Sequence, residues 1–327
     1  MANYTITLAC RHYDRTEAIL RGLVKPDGID LNIVERSDPS AMVREMIDGK
    51  YDVAEFSMAE YVHRLSHGKD DLTAIPVFPL KMFRHGFIFC NSASGIGSPA
   101  DLHGKKFGLF RMSQTACVWV RGLLIEEFGV SPAHVNWLTP GPVEEEIQPR
   151  DGSKVSFINK NQGVDDKRLL DEALVSGAID AMTSATFSAA FLKGDPRVKR
   201  LFSDYKDREL SYYKKTGIFP IMHVLAAKRS TVEKHPDLSQ KLIALFSEAR
   251  QYASQRLHFE GSLSLAWKIH YLEEEERALG SDAWAYGVDK NRATLNKFLS
   301  YAYDMGVSKR KMAAEELFDS NSLTVTG

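Results

Sequence analysis

The first ninety residues alternate between short strand patterns and helix patterns, and this alternation constrains the fold more than any other feature of the chain. Residues 4–10 and 29–35 alternate apolar with polar side chains, as half-buried strands do. Residues 38–50 place Met42 and Met46 at helical spacing. Strands separated by helices of this length form βαβ units around a mainly parallel sheet. The sequence therefore predicts an α/β fold.

A second α/β segment begins near Ser92, a strand pattern returns at residues 217–228, and helical spacing dominates after Thr231. A chain that leaves one lobe by a strand and returns to it by another forms a two-lobed clamshell, here with a helical C-terminal tail. The predicted lobes are residues 1–91 with 219–327 and residues 92–218, with crossing strands at residues 83–91 and 217–226.

Composition excludes several classes of partner. A chain of 327 residues can form two lobes, and its formal net charge of −1 gives no reason to expect nucleic acid or an anionic membrane. The three cysteines are far apart and form no CxxC, so neither a disulfide framework nor a structural zinc site is predicted. The N-terminus lacks the pattern of a secretory signal, and no run of about 18 apolar residues occurs. These features predict a cytoplasmic protein without a membrane span.

Polar residues that follow the predicted strands form the candidate binding site, because ligands of open α/β sheets bind beyond the carboxyl ends of the strands. Arg11 and Arg84 could each hold a carboxylate through two parallel hydrogen bonds, or form surface ion pairs instead. The helix predicted near Ser113 offers free N–H groups to a carboxylate, although Ser113 could simply cap that helix. The candidate binding residues are Arg11, Ser57, Arg84, Arg111, Ser113, Gln114, Thr115 and Ser184.

Histidines determine the candidate chemistry. His85 and His223 lie on the two predicted crossing strands, which would bring them together at the floor of the cleft. His12 and Glu55 follow neighbouring strands, and the four residues could form an acid–base set because imidazole titrates near neutral pH. A mononuclear metal site of the histidine/carboxylate type is an open alternative, as is a structural role for any single histidine.

Several runs of residues resemble known proteins. The run NSASGIGSPADLHGKKFG, residues 91–108, resembles the lobe-crossing segment of the type 2 periplasmic-binding-protein fold. LACRHYDRTEAILRG, IPVFPLKMFRHGFIFCN and DAWAYGVDKNRATLNKFLSYAYDMGV resemble the 4,5-dihydroxyphthalate decarboxylase family, with a likeness that extends from Leu8 to Phe318. That family uses the binding-protein fold as a cytoplasmic enzyme of phthalate breakdown.

The resemblance implies a carboxy-lyase that converts 4,5-dihydroxyphthalate to protocatechuate and CO2 without an organic cofactor. Arg11, Arg84 and the helix start at Ser113 would then bind the retained carboxylate, and the histidines with Glu55 would supply acid and base. Two alternatives remain open: a solute-binding protein for a small organic anion, and an enzyme of this fold acting on another hydroxylated aromatic acid. The expected partner is a small aromatic carboxylate; a divalent metal stays open, and a homo-oligomer is compatible with these features.

Overall fold

A computed structural model describes residues 3–142, 146–158, 165–259, 261 and 263–325. The chain divides into two compact units. Unit 1 comprises Met1–Lys81, Gly217–Asn296 and Met312–Gly327, and unit 2 comprises Met82–Thr216 and Lys297–Lys311.

The strands and helices are numbered in chain order, and short 3-10 turns are left without labels. They are β1 (Tyr4–Cys10), α1 (Asp14–Leu20), β2 (Ile29–Glu35), α2 (Pro39–Ile47), β3 (Val53–Ser57), α3 (Met58–Ser66), β4 (Leu72–Ile75), β5 (Ile88–Asn91), β6 (Lys106–Leu109), α4 (Thr115–Phe128), β7 (Asn136–Thr139), β8 (Lys154–Phe157), α5 (Asp166–Ser176), β9 (Ala181–Thr183), α6 (Ala189–Leu192), β10 (Val198–Arg200), α7 (Tyr205–Thr216), β11 (His223–Lys228), α8 (Arg229–Lys234), α9 (Leu238–His258), α10 (Lys268–Leu279) and α11 (Val288–Asp304).

In the described part of unit 1, five strands form one sheet in the order β2-β1-β3-β11-β4. β1 pairs in parallel with β2 and β3, whereas β11 runs antiparallel to β3 and β4. The predicted alternation is visible in β1, where Ile6 and Leu8 are buried and Thr7 is partly exposed. The sheet is mainly parallel, as predicted, and β11, the strand after the long excursion through residues 82–216, is inserted antiparallel.

Helices cover the sheet of unit 1 with apolar stripes. In α9, Leu238, Leu242, Leu245 and Ala249 are buried, which confirms the stripe that helical spacing predicts. α2 begins after Asp38, whose side chain accepts the N–H of Ser40 at 2.9 Å. Local capping signals and burial of one face therefore agree in these helices.

In the described part of unit 2, six strands form a second sheet in the order β10-β5-β9-β6-β7-β8. β6 is parallel to β7 and β9, and β5 is antiparallel to β9 and β10. α4 is buried on nearly all sides and ends at Gly129, whose φ of 65° is the left-handed conformation that glycine adopts readily. Gly122 of α4 lets Tyr301 approach closely, because a Cβ atom there would lie 2.2 Å from the Tyr301 ring.

The first predicted crossing strand differs from the structure. Residues 85–87 form a 3-10 turn, closed by the N–H of Phe87 donating to the carbonyl of Arg84 at 3.1 Å, and β5 begins only at Ile88. The second predicted strand likewise begins only at His223.

The unit boundaries also differ from the predicted lobe boundaries. Residues 82–91 belong to unit 2 because β5 pairs with β9 and β10 of its sheet. Residues 297–311, predicted as part of lobe 1, also belong to unit 2, where the rings of Phe298 and Tyr301 pack against Trp119. Among the helices described, none combines the length and apolar character that crossing a membrane requires.

Candidate active site

Glu55 is the buried centre of a polar cluster in unit 1. It lies on β3, and none of its surface is exposed. Its Oε2 accepts the backbone N–H of Arg11 at 3.1 Å, and its Oε1 accepts both the hydroxyl of Tyr13 at 2.7 Å and a hydrogen bond from Nδ1 of His223. A carboxylate out of contact with water is stable only when such donors replace its hydration. Three donors satisfy this one.

These contacts decide the charge state of the cluster. Burial alone would raise the pKa of Glu55, but the hydrogen bond and charge of His223, the Tyr13 hydroxyl and the Arg11 N–H together lower it below its ordinary value. Burial, followed by the charge of Glu55 and its hydrogen bond, raises the pKa of Tyr13. At neutral pH Glu55 is therefore ionised. Tyr13 keeps its proton and donates a hydrogen bond to Glu55.

The register of the sheet brings these side chains together. β1 runs parallel to β3 and pairs Ala9 with Ala54, so Arg11 follows β1 at the end of the sheet where Glu55 lies. β11 runs antiparallel and pairs Leu225 with Glu55, so its first residue, His223, starts at the same end. Residues two apart on a strand share a face, and the His223 ring therefore reaches the carboxylate diagonally. This is the carboxyl edge of the parallel strands, where the sequence predicts a ligand.

His223 keeps one ring nitrogen available for a ligand. Because Nδ1 faces the acceptor Glu55, the ring proton is assigned to Nδ1. Nε2 of His223 makes no hydrogen bond with any residue that the structure describes, and the side chain is 13% exposed. Nε2 can accept a proton from a substrate, and the Glu55 carboxylate then stabilises the imidazolium that forms.

Arg11 adds a positive charge beside this pair. Its Nη1 donates to the hydroxyl of Tyr13 at 3.3 Å, and its guanidinium carbon lies 5.3 Å from the centre of the Tyr13 ring. Within the described ranges, no acidic side chain forms an ion pair with Arg11. Its remaining N–H groups can hold a carboxylate in the two-pronged geometry that arginine favours.

Ser57 and His12 are the other two predicted site residues of unit 1. Ser57 pairs with His223 across β3 and β11. The side chain of His12 is 57% exposed, with its Nδ1 4.0 Å from a carboxylate oxygen of Glu35, and it does not join the cluster. Tyr13 follows β1, as the rule for strand ends requires, but it is not among the predicted binding or catalytic residues. Its position directly after β1 was the only signal in the sequence, and its contact with Glu55 depends on the pairing of β1 with β3.

In unit 2, the predicted binding residues other than Arg84 follow β6 and β9, which are parallel and pair Leu109 with Thr183. Ser184 is 3% exposed, and its Oγ has no hydrogen-bond partner in the part of the chain described. Arg84 is also 3% exposed and donates from Nη1 to the carbonyl of Ala185 at 3.2 Å. Burial lowers the pKa of Arg84 to about 10, so it stays charged at neutral pH.

The start of α4 also differs in detail from the prediction. The residue before its first turn is Gln114, so Ser113 is not its cap. Ser113 and Thr115 are buried, Gln114 is half-buried and Arg111 is exposed. The assignment of these residues, with Arg84 and Ser184, to substrate binding stays a prediction. Arg84 belongs to unit 2 and Arg11 to unit 1, so the two arginines do not share one lobe as the sequence suggested.

His85 lies in an aromatic environment in unit 2, with ring centroids of Phe128, Phe202 and Tyr212 between 5.6 and 6.3 Å away. Burial, reinforced by the charge of Arg208, lowers the pKa of His85 to about 4. At neutral pH the ring is uncharged.

Glu209 is the carboxylate nearest to His85 in unit 2. The Nδ1 of His85 lies 3.9 Å from Oε1 of Glu209, too far for a hydrogen bond, and has no other partner among the described residues. Burial raises the pKa of Glu209 to about 7. The structure thus assigns His85 and His223 to different units, each beside a carboxylate of its own unit.

A mononuclear metal site needs several donor side chains close together. No group of three or more His, Cys, Asp or Glu side chains that could hold a metal ion occurs among the residues described. A metal site therefore stays an open alternative, which a chelation experiment can test.

Comparison with known proteins identifies the class of fold. The family of periplasmic substrate-binding proteins of phosphonate ABC transporters matches residues 11–263, and the chain belongs to it. The periplasmic aliphatic sulphonate-binding protein of Escherichia coli aligns with a TM-score of 0.59 and 15% identity, over 98% of this chain and 99% of that one. The alkanesulfonate-binding protein of Xanthomonas axonopodis pv. citri, bound to MOPS, gives a TM-score of 0.55 and 12% identity over 98% of this chain and 99% of that one. These similarities confirm the predicted periplasmic-binding-protein-like fold.

Curated relatives narrow the family. A 4,5-dihydroxyphthalate decarboxylase of Comamonas testosteroni is 31% identical over 329 residues, which cover 99% of this chain and 98% of the relative. A protein of the same name from Pseudomonas putida is 28% identical over 214 residues, or 65% of this chain and 83% of that relative. The chain belongs to the 4,5-dihydroxyphthalate decarboxylase family, a family of carboxy-lyases, as the resemblance predicted.

Proposed function

We propose that this protein decarboxylates 4,5-dihydroxyphthalate to protocatechuate and CO2 without an organic cofactor. The observation that carries the proposal is the fully hydrogen-bonded carboxylate of Glu55 held against Nδ1 of His223. A buried carboxylate in this position orients an imidazole and stabilises its protonated form, which makes the other ring nitrogen an effective base. The similarity to curated decarboxylases supports the choice of substrate.

The proposed reaction needs a base and an acid but no electron acceptor. In 4,5-dihydroxyphthalate each carboxylate is para to a ring hydroxyl. Nε2 of His223 removes the hydroxyl proton, which increases the electron density at the para carbon that bears the carboxylate. A proton adds to that carbon, the bond to the carboxylate breaks, and its electron pair restores the aromatic ring as CO2 leaves. The imidazolium returns its proton to the phenolate, and one proton from solvent balances the reaction.

Arg11 orients the substrate in this proposal. Its guanidinium binds the carboxylate that remains on the ring, and the position of the second carboxylate and its para hydroxyl is then restricted relative to His223. Holding reactants in one geometry is worth several kcal/mol of the barrier in well-oriented systems. The same arginine explains why an anionic aromatic acid, rather than a neutral phenol, is the expected ligand.

A solute-binding protein for a small organic anion is the second candidate, favoured by the fold shared with sulphonate-binding proteins. It would use Arg11 in the same way but would not need an ionised Glu55 beside His223. An enzyme acting on another hydroxylated aromatic acid would need the same pair. A cytoplasmic location, which the relation to decarboxylases favours, is part of the main proposal and can be tested by cell fractionation.

The test is an ultraviolet-monitored incubation of the purified protein with 4,5-dihydroxyphthalate, with and without a chelator. We expect protocatechuate to form at catalytic rates in both samples, and the variant His223→Gln to serve as the inactive control. Loss of activity with the chelator would favour the metal alternative. Saturable binding without any product would favour the solute-binding alternative. Turnover of a different hydroxylated aromatic acid would show that this acid, and not 4,5-dihydroxyphthalate, is the substrate.

A further inference from the structure

Tyr13 lies between the arginine and the acid–base pair of unit 1. Its hydroxyl accepts a hydrogen bond from Nη1 of Arg11 at 3.3 Å and donates to Oε1 of Glu55 at 2.7 Å. The same Oε1 accepts the hydrogen bond from His223. Tyr13 and His223 therefore share one carboxylate oxygen, while Oε2 is occupied separately by the backbone of Arg11.

The ring of Tyr13 is fixed in place by neighbours that do not touch the carboxylate. The guanidinium of Arg15 lies 4.2 Å from the centre of the Tyr13 ring and 4.2 Å from that of Trp284. Arg15 is held there because its Nε donates to the carbonyl of Pro79 at 2.6 Å. The N–H of Tyr13 is bound by Oγ1 of Thr16 at 2.8 Å. The hydroxyl is therefore presented to Glu55 in one orientation.

When one carboxylate oxygen accepts two hydrogen bonds, each of the two is weaker than it would be alone. The hydroxyl of Tyr13, made a better donor by the positive charge of Arg11, withdraws charge from Oε1 that would otherwise stabilise a proton on His223. Removing the hydroxyl while keeping the ring should therefore strengthen the hydrogen bond between Glu55 and His223.

Building on the proposed function, we infer that Tyr13 is a positioning residue, whose hydroxyl shares Oε1 of Glu55 with His223 and so limits the basicity of the catalytic imidazole. Its effect passes through Glu55, and it need not touch the substrate. Such moderation matters for a group that must both take and return a proton, because a base that binds its proton too tightly is slow to release it.

Other charged and titratable groups of the described part of unit 1 also lie near the pair. Arg11 and Tyr13 follow β1, Glu55 lies on β3, and Cys10 ends β1, where burial and the charges of Glu55 and Glu35 raise the pKa of its thiol to about 12. Arg15 of α1 and the buried Tyr286 add smaller electrostatic contributions at Tyr13 and Glu55. Of these side chains, only Tyr13 shares the acceptor oxygen of His223.

The variant Tyr13→Phe tests the inference by proton NMR. The Nδ1 proton of His223, identified by its loss in His223→Gln, should move downfield in Tyr13→Phe because the hydrogen bond to Glu55 becomes stronger. Tyr51→Phe is the matched control, because Tyr51 also donates to a glutamate, Glu45, and accepts from an arginine, Arg36, at 2.5 and 2.9 Å. It should leave the resonance unchanged.

The pH–rate profile supplies a second measurement. In Tyr13→Phe, the acidic limb of kcat should move to higher pH by about one unit, a shift of the size that one hydrogen bond to a charged group produces. KM should change less than kcat, because Arg11 remains in place. A purely structural role for Tyr13 would lower the melting temperature and kcat without moving the acidic limb.

Arg11→Gln provides a test that leaves Tyr13 intact. Without the arginine, the hydroxyl is a weaker donor, and the Nδ1 resonance should move in the same direction by a smaller amount. An unchanged resonance in either variant would overturn the inference. Because the resonance is read without turnover, a protein that shows the shift but makes no protocatechuate would refute the proposed function and leave the role of Tyr13 standing.

Discussion

Each unit holds a histidine beside a glutamate, and the two pairs differ in almost every physical respect. In unit 1, Glu55 accepts three hydrogen bonds, including one from His223, and its pKa is lowered despite complete burial. In unit 2, burial raises the pKa of Glu209 to about 7 and lowers that of His85 to about 4, and no hydrogen bond joins the two side chains. The first pair carries a charge at neutral pH, whereas the second holds an uncharged histidine beside a glutamate that keeps its proton up to about pH 7.

The comparison shows that residue types alone do not define an acid–base site. Glu55 lies on the central strand of its sheet, where a hydroxyl, a backbone N–H and an imidazole all donate hydrogen bonds to it. Glu209 accepts the backbone N–H of Gly86 at 3.2 Å, and the ring of His85 contacts aromatic side chains. The donors around the carboxylate decide whether burial produces an ionised pair or a neutral one.

The largest predicted difference between the pairs concerns turnover. His223→Gln should reduce kcat for the proposed decarboxylation by about a thousandfold, within the range that a general acid–base group contributes. The physical reason is the loss of Nε2 as the proton acceptor. The measurement is steady-state kinetics, with circular dichroism to confirm folding. A folded His223→Gln that keeps near-normal kcat would remove the acid–base role from the pair in unit 1.

The second prediction concerns the neutral pair and pH. Because burial raises the pKa of Glu209 from 4.5 to about 7, folded protein retains a proton that the unfolded chain has released. This contribution to stability is present in full below pH 4.5 and is lost as pH rises through about 7.

Glu209→Gln imitates the protonated acid at every pH and should not show this loss. Between pH 5 and 8.5, the wild type should lose about 2 kcal/mol of unfolding free energy more than the variant. Urea denaturation at several pH values measures this. Parallel pH dependences in the two proteins would show that Glu209 is already ionised in the folded state.

The sequence predicts the framework well because its signals are local. Alternation in residues 4–10 and 29–35 predicts β1 and β2 with their observed bounds, and α4 ends at a glycine, the residue type that commonly follows a helix. The prediction fails at residues 83–87, where apolar bulk suggests a strand. There the carboxylate of Glu209 accepts the N–H of Gly86, and a partner so distant in sequence leaves no local signal.

The candidate site is predictable only in part for the same reason. The carboxyl ends of the parallel strands identify Arg11 and Glu55, and the returning strand identifies His223, because these features follow from the strand patterns themselves. The pairing of Glu55 with His223 depends on the register of β11 against β3, which the sequence alone does not reveal. The choice between His223 and His85 depends on burial and donors, so both stood as equal candidates.

A third prediction concerns His12, which adjoins Arg11 in sequence but has an exposed side chain near Glu35. His12→Gln should change kcat and KM by no more than about twofold, as surface substitutions generally do. Steady-state kinetics of His12→Gln and His223→Gln, measured under the same conditions, test this contrast. A fall of more than tenfold for His12→Gln would bring His12 into the site and make the pair in unit 1 a larger acid–base set.

The smallest effect is expected for His85→Phe, which replaces the imidazole with a ring that matches its aromatic surroundings. Nδ1 of His85 has no hydrogen-bond partner among the described residues, and apolar replacement of such a group is nearly neutral or stabilising. We expect unchanged kcat and an equal or higher melting temperature. Since burial lowers the pKa of His85 to about 4, the wild type should lose more stability, or gain less, than the variant as pH falls from 6.5 through about 4. A hundredfold fall in kcat would instead restore His85 as a catalytic residue, and the two pairs would then differ in charge but not in importance to the reaction.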